Sequence, residues 1–300
     1  MGIEGVAYVN GTYSQADDAK ISIFDQGLIF GDGVYDTFVV KNEFIFKLDQ
    51  HVDRLFRSAH AVKIDIPFEK EELKNIIIET IRRSKLKDAY LKCIVTRGTG
   101  KRPVMGRGDT IKPSIVVFAV PPVSVIDDEK KDKGAKLVST NIKRSHPESI
   151  DPRVKSLNYL PNMLMRREAI ELGADESITY DYNGYVAEGG AENVFIVKNR
   201  ILMTPARGIL EGITRETVIE IAKEEKIKTI EANLTKYDLY TADEVFLCSS
   251  AGGIFPVTEI DARIIGNGKK GSITDLMMNK YNDMLRNGIH GTKIISYAKK

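Results

Sequence analysis

A break in composition at "PPVSVIDDEKKDKG" (121–134) most constrains what this chain can fold into. Two prolines give way there to alternating charge, the composition of a connection between domains. At 300 residues the chain has room for two domains. The break predicts a small N-terminal domain over 1–121, a linker over 122–133 and a larger domain over 134–300. Both flanks mix strand and helix periods, which sets the class as α+β, a mixed α/β build. In the first flank, "VAYV" and "TYS" surround Asn10-Gly11, "ISIF" reads as a strand, and "TFVVKNEFIFK" as a hairpin about Asn42-Glu43. Leu48, Val52, Leu55, Ala59 and Val62 recur at helical spacing, a second helix covers about 69–84, and "AYLKCIVTR" and "SIVVFAV" are long strands. The second flank predicts a strand at "AKLVST", a helix over about 161–172, a hairpin at Asn183-Gly184 and strands at "NVFIV" and "ILMT". A helix from near Gly212 follows, then strands at "KTIEAN", "EVFLCSS" and "IFPVTEI" and a closing helix over 273–285.

Composition narrows the function. A 42% hydrophobic and 29% charged chain is ordinary for a soluble enzyme, and a net charge of +2 with interspersed signs excludes a dedicated nucleic-acid face. No apolar run is long enough to span a bilayer, and "MGIEGVAYVNG" lacks the order of a signal peptide, so a cytoplasmic protein is expected. Cys93 and Cys248 each sit inside an apolar run, which reads as buried thiols in a reducing compartment; no metal site is expected.

Chemistry centres on "DPRVKSLNYLPNML" (151–164), where Lys155 lies among Val154, Leu157, Tyr159 and Leu160. A lysine held against apolar walls has its charged form disfavoured, which frees the amine as nucleophile or base. The same pattern also suits a side chain whose stem packs while its head reaches water. Glu188 precedes two glycines in "YVAEGGAENVF", where backbone can approach a ligand closely, and equally terminates a strand. "LEGITRETV" places helix-start N–H groups after Gly212, where an anion is welcome. "LCSSAGGIFPV" runs a strand into a small-residue loop, and "HVDRLF" carries Arg54 on the polar side of its helix. An amine, a carboxylate and several phosphate donors are the parts that pyridoxal 5′-phosphate requires.

Taken in order, "FGDGVYDTF" (30–38), "HVDRL", "VKSLNYLPN", "VAEGGAENVFIV", "GILEGITRETVIEIA" and "SSAGGIFPVTEID" resemble the class IV aminotransferases and cover nearly the whole chain. The resemblance implies a two-domain fold-type IV pyridoxal-phosphate enzyme, with the architecture of the D-amino-acid aminotransferases. It implies that Lys155 is the Schiff-base lysine and that Glu188 pairs with the pyridinium nitrogen. Tyr159 then hydrogen-bonds the phenolic oxygen and Leu210 packs on the ring. Arg54, the amides of Ile213 and Thr214 and the hydroxyl of Ser250 hold the phosphate. Substrate contacts implied in the same way are Tyr35, Tyr90, Lys92, Arg97, Arg102, Ser250 and Ala251.

The expected reaction is transamination between a branched-chain L-amino acid and a 2-oxo acid, 2-oxoglutarate, in a homodimer or higher homo-oligomer. Departures from the resemblance leave alternatives open. Lys92 replaces an arginine of the branched-chain enzymes, and lysine offers a point charge rather than a bidentate fork. Arg102 and Tyr35 match the carboxylate trap of D-amino-acid aminotransferases, but Val104 stands where their histidine does. A D-amino-acid or (R)-amine aminotransferase is therefore the alternative, followed by a lyase resembling aminodeoxychorismate lyase and by a non-enzymatic phosphate-binding module.

Overall fold

A computed structural model describes residues 2–100, 105 and 112–294, and the chain divides into two compact units. The first comprises 1–123, 154–158 and 284–300, and the second 124–153 and 159–283. The first unit opens with β1 (Val6–Val9) and β2 (Thr12–Gln15), then α1 (Gln26–Phe30), β3 (Gly33–Lys41), β4 (Phe44–Phe46), α2 (Leu48–Ala61), α3 (Lys70–Ser84), β5 (Ala89–Thr96) and β6 (Ser114–Val120). The second contains α4 (Asp128–Lys133), β7 (Ala135–Ser139), α5 (Leu160–Glu171), β8 (Glu176–Ile178), β9 (Asn193–Lys198), β10 (Ile201–Pro205), α6 (Ile213–Glu224), β11 (Thr229–Ala232), α7 (Lys236–Tyr240), β12 (Glu244–Ser249), β13 (Gly253–Ile260) and β14 (Arg263–Ile264). Helix α8 (Ser272–Asn287) begins in the second unit and ends in the first, which is completed by β15 (Gly291–Lys293).

Sheet order in the first unit is β15-β4-β3-β5-β6-β1-β2, antiparallel throughout. The predicted helices α2 and α3 turn Leu48, Val52, Leu55 and Ala59, and Leu73, Ile77 and Ile81, into one core with Phe38, Leu91, Val95 and Val117. Two-residue turns join β1 to β2 and β3 to β4, with positive φ at Asn10, Gly11, Asn42 and Glu43, the geometry that matches strand twist. The second unit has the order β11-β10-β9-β12-β13-β7-β8. It is mixed, with parallel pairing of β10 to β11, β13 to β7 and β7 to β8.

Two expectations differ from what is observed. Residues 21–24 form no strand: Asp25 N–H bonds the Ser22 carbonyl at 3.0 Å and Phe24 N–H bonds Ser22 Oγ at 3.1 Å, so a turn replaces the ladder. The stretch expected as a linker carries α4 and buries Ile126 in the core of the second unit. Residues 154–158 and the segment from Met284 onward also join the first unit rather than the second. Both thiols are buried, which pushes the Cys93 and Cys248 pKa values up and leaves them inert.

Asp25 fixes the entry to β3. Its fully buried carboxylate accepts from Gly27 N–H at 2.8 Å, capping α1, and from the hydroxyls of Thr96 at 2.9 Å and Ser114 at 2.8 Å. Asp25→Ala strands these buried donors and is expected to cost about 3 kcal/mol. A urea midpoint equal to that of the unsubstituted protein contradicts this account.

Candidate active site

Strand alternation sends successive side chains of β3 to opposite faces. Asp36 faces α2 and is completely buried. Arg54 Nε and Nη2 bond its two oxygens at 2.9 and 2.7 Å, and His51 Nδ1 lies 2.7 Å from Oδ1. His51 and Arg54 are three apart on one helical face, so α2 presents both to a single acid. Burial alone raises the Asp36 carboxyl, but the Arg54 charge and the hydrogen bonds from His51 and Arg54 override it and hold the group well below the usual carboxylate range. Burial in turn depresses the His51 imidazole against the pull of Asp36. At neutral pH the neutral Nδ1–H therefore donates to Asp36, and Arg54 carries the compensating charge.

The 154–158 segment is strapped to the start of β3. Tyr35 N–H donates to the Lys155 carbonyl and Leu157 N–H to the Gly33 carbonyl, both at 2.9 Å, while Lys155 N–H reaches Ser58 Oγ at 3.2 Å. This strap buries Lys155 to 9% exposure and puts its Nζ 4.7 Å from the Tyr35 ring centroid. Register pairs Thr37 with Lys92 and Val39 with Tyr90, so the β5 side chains share the Tyr35 face. Lys92 Nζ lies 4.7 Å from the Tyr35 centroid and 5.4 Å from that of Tyr90, a cation–π pairing that holds the ammonium over two rings.

In the second unit Glu188 is the hub. Its Oε2 accepts from Leu210 N–H at 2.9 Å and, at 3.5 Å, from Asn193 Nδ2, which also donates to the Leu210 carbonyl at 2.9 Å. Arg144 Nε lies 2.7 Å from Oε1 without the alignment of a directed hydrogen bond, so the contact is an ion pair. Arg144 Nη1 in turn donates to Asn162 Oδ1 at 3.2 Å, and Asn162 Nδ2 to the Gly190 carbonyl at 2.5 Å. Burial, with the Glu176 charge nearby, pushes Glu192 up to about 8.

Gly212 caps α6 in extended backbone, and a Cβ there would come within 2.0 Å of Asn193 Oδ1. Only glycine permits that approach, which brings the first turn of α6, with buried Ile213 and Thr214, close to Asn193. First-turn amides have no acceptor within their own helix. Ser250 and Ala251 form the turn between β12 and β13.

The predicted residues thus fall into two groups. Lys155, Tyr35, Tyr90, Lys92 and Arg54 belong to the first unit, and Tyr159, Glu188, Leu210, Ile213, Thr214, Ser250 and Ala251 to the second. Arg97 pairs with Asp32 at 2.6 Å and donates to the carbonyls of Val62 and Lys63, tying down the end of α2. Arg102 lies outside the described residues. Sequence reasoning missed Asp36, His51, Arg144, Asn162 and Asn193. For Asp36 a signal existed, an acid inside the apolar run "GVYDTFVV".

The family model for amino-transferase class IV matches residues 33–260, and the chain belongs to that family. A Methanocaldococcus jannaschii protein named "Putative branched-chain-amino-acid aminotransferase" is 42% identical over 92% of this chain and 95% of its own length. The branched-chain aminotransferase of Thermoproteus uzoniensis, solved with norvaline, is 30% identical and superposes with a TM-score of 0.89 over 97% of this chain and 99% of that one. The branched-chain amino acid aminotransferase of Thermobaculum terrenum, solved in its PLP holo-form, is 25% identical with a TM-score of 0.87 over 98% and 99%. The chain is an aminotransferase with the α+β fold of these enzymes.

The Asp36 contribution to stability is present above the ordinary carboxylate value near 3.9 and is lost as pH falls through its lower folded value. Asp36→Asn is expected to lose about 3–5 kcal/mol at pH 7, because it leaves Arg54 buried without its anion. Its stability should also vary less between pH 2 and 4 than that of the unsubstituted protein. Urea titrations across that range give both quantities, and identical acid slopes would rule out the account.

Proposed function

We propose that this chain transfers the amino group of branched-chain L-amino acids to 2-oxoglutarate, using pyridoxal 5′-phosphate. Glu188 is the observation that carries the reading. Two carboxylate oxygens offer about four acceptor sites, and Leu210, Asn193 and Arg144 engage three of them. The remaining site, in a buried setting, suits a protonated ring nitrogen. A buried amine such as that of Lys155 suits an aldehyde, and a helix start such as that of α6 suits a phosphate. The names of the relatives above support the branched-chain choice.

The bound cofactor supplies a protonated ring that takes up the electron pair left when a Cα–H bond breaks. Lys155 would hold the cofactor through its amine and, when the substrate amine takes that place, would be the base that accepts the Cα proton and gives it up again. Glu188 holds the proton on the ring nitrogen, and Arg144 balances the Glu188 charge. Leu210 would pack on the ring and Tyr159 would donate to its phenolic oxygen. The first-turn amides of Ile213 and Thr214 and the Ser250 hydroxyl receive the phosphate, and Arg54, aimed by Asp36, adds a positive charge. Lys92, between the rings of Tyr35 and Tyr90, provides a point charge for the distal carboxylate of the acceptor. Amides of the Ser250–Ala251 turn would donate to the substrate α-carboxylate. The enzyme works as a cytoplasmic homodimer. No helix among the described residues is long and apolar enough to cross a membrane.

A spectroscopic half-reaction panel tests this reading. Addition of L-leucine, L-isoleucine or L-valine should convert the absorbance of the lysine-linked cofactor to that of the amine form, and 2-oxoglutarate should restore it. Conversion by D-alanine alone, or by (R)-1-phenylethylamine alone, overturns the substrate assignment. Lys155→Ala is expected to lose at least about 10³-fold in turnover with its fold intact. Borohydride reduction followed by peptide mass mapping should place the label on Lys155.

A further inference from the structure

Residues 206–212 run from β10 to α6 and carry Leu210, and one side chain closes the base of this loop. Arg215, in the first turn of α6, is buried to 7% exposure. Its Nη2 donates to the carbonyl of Pro205, the last residue of β10, at 3.0 Å and to Glu231 Oε2 on β11 at 2.5 Å. Its Nε reaches Thr204 Oγ1 at 3.4 Å, and that hydroxyl donates to the Val194 carbonyl on β9 at 2.8 Å. A planar guanidinium can meet a carbonyl, a carboxylate and a hydroxyl spread over two strands, whereas an ammonium is a compact point charge without that fork.

The other end of the loop has its own anchors. Leu210 N–H donates to Glu188 and the Leu210 carbonyl accepts from Asn193, whose side chain also packs against Gly212. Between the two ends Ala206, Arg207 and Gly208 border a cavity of about 270 Å³, so that stretch meets open space rather than packed side chains. A helix held at Gly212 alone is free to pivot there, and a second contact three residues on removes that freedom. We infer that Arg215 is a positioning residue of the cofactor site: it ties the first turn of α6 to the ends of β10 and β11 and so aims the Ile213 and Thr214 amides at the phosphate. This rests on the proposal that those amides receive the cofactor phosphate. Arg215 acts through the helix and touches neither cofactor nor substrate, and the ring end of the site is held without it, by Glu188 and Asn193.

Two ligands separate the two ends of the site: pyridoxal 5′-phosphate, and pyridoxal, which lacks the phosphate. Absorbance titration of the cofactor-free protein gives an affinity for each, and the preference for the phosphorylated form reads the phosphate grip alone. Arg215→Lys keeps the charge and loses the fork; it should lower that preference about 5-fold, with pyridoxal bound as before. Glu231 has a side chain that is 54% exposed, so Glu231→Gln slackens the clamp at little risk to folding and decides the matter if Arg215→Lys does not fold. It should lower the preference about 2-fold. An unchanged preference in Glu231→Gln or in folded Arg215→Lys, or equal losses for both ligands, overturns the inference and leaves the phosphate placement standing. A raised preference in Glu231→Gln also overturns it, because a guanidinium released from its acid would then be gripping the phosphate itself. An unsubstituted protein that binds the two ligands equally overturns the placement and, with it, this role for Arg215.

Discussion

A buried carboxylate at Asp36 is the constraint from which the first unit is organised. One strand residue binds two residues of one helix, His51 and Arg54, and so fixes the rotation of α2 about its own axis against β3. Packing of Leu48, Val52, Leu55 and Ala59 is non-directional and tolerates small rotations, whereas a fork of hydrogen bonds to a planar acid does not. With α2 fixed, Ser58 is in place to accept from the Lys155 backbone, and the opposite face of β3 offers Tyr35 to the Lys155 side chain. The lysine is thus positioned by a charge that it does not touch.

Glu188 has the same logic in the second unit. Its partners come from three places in the sequence: Arg144 before α5, Asn193 at the start of β9, and Leu210 in the loop before α6. Asn193 joins the carboxylate to that loop, and the missing side chain at Gly212 allows the close approach that sets the first turn of α6. The acid and the start of α6 are consequently held at a fixed spacing by one amide side chain. Removing a group from such a network leaves its buried partners unsatisfied, so its members act as a unit.

Much of this was legible in the sequence, for physical reasons. Helical periodicity reports a buried face directly, and α2, α3, α6 and α8 are where the spacing places them. Lys155 and Glu188 stood out because a charge among apolar neighbours or beside paired glycines needs an explanation. Arg144 and Asn193 did not, because their meaning arises from contacts across 44 and five positions of chain that no local pattern encodes. Turn chemistry was legible at Asn10-Gly11 but not at Asn199-Arg200, where both residues take positive φ without a glycine to mark it. The contacts of Arg97 were equally hidden, because a strand-end arginine looks the same in sequence whatever carbonyls it meets.

The strap at 154–158 and the edge strand β15 have a consequence for biogenesis. Both complete a unit whose other parts lie within the first 123 residues, so its sheet lacks an outer ladder until position 293 has been synthesised. Domains usually mature in the order in which the ribosome delivers them. Here the earlier body is finished last, after the entire intervening one has emerged. Such long closure slows assembly and prolongs the exposure of an unpaired edge. The nascent polypeptide therefore carries that unpaired edge until position 293 has left the ribosome.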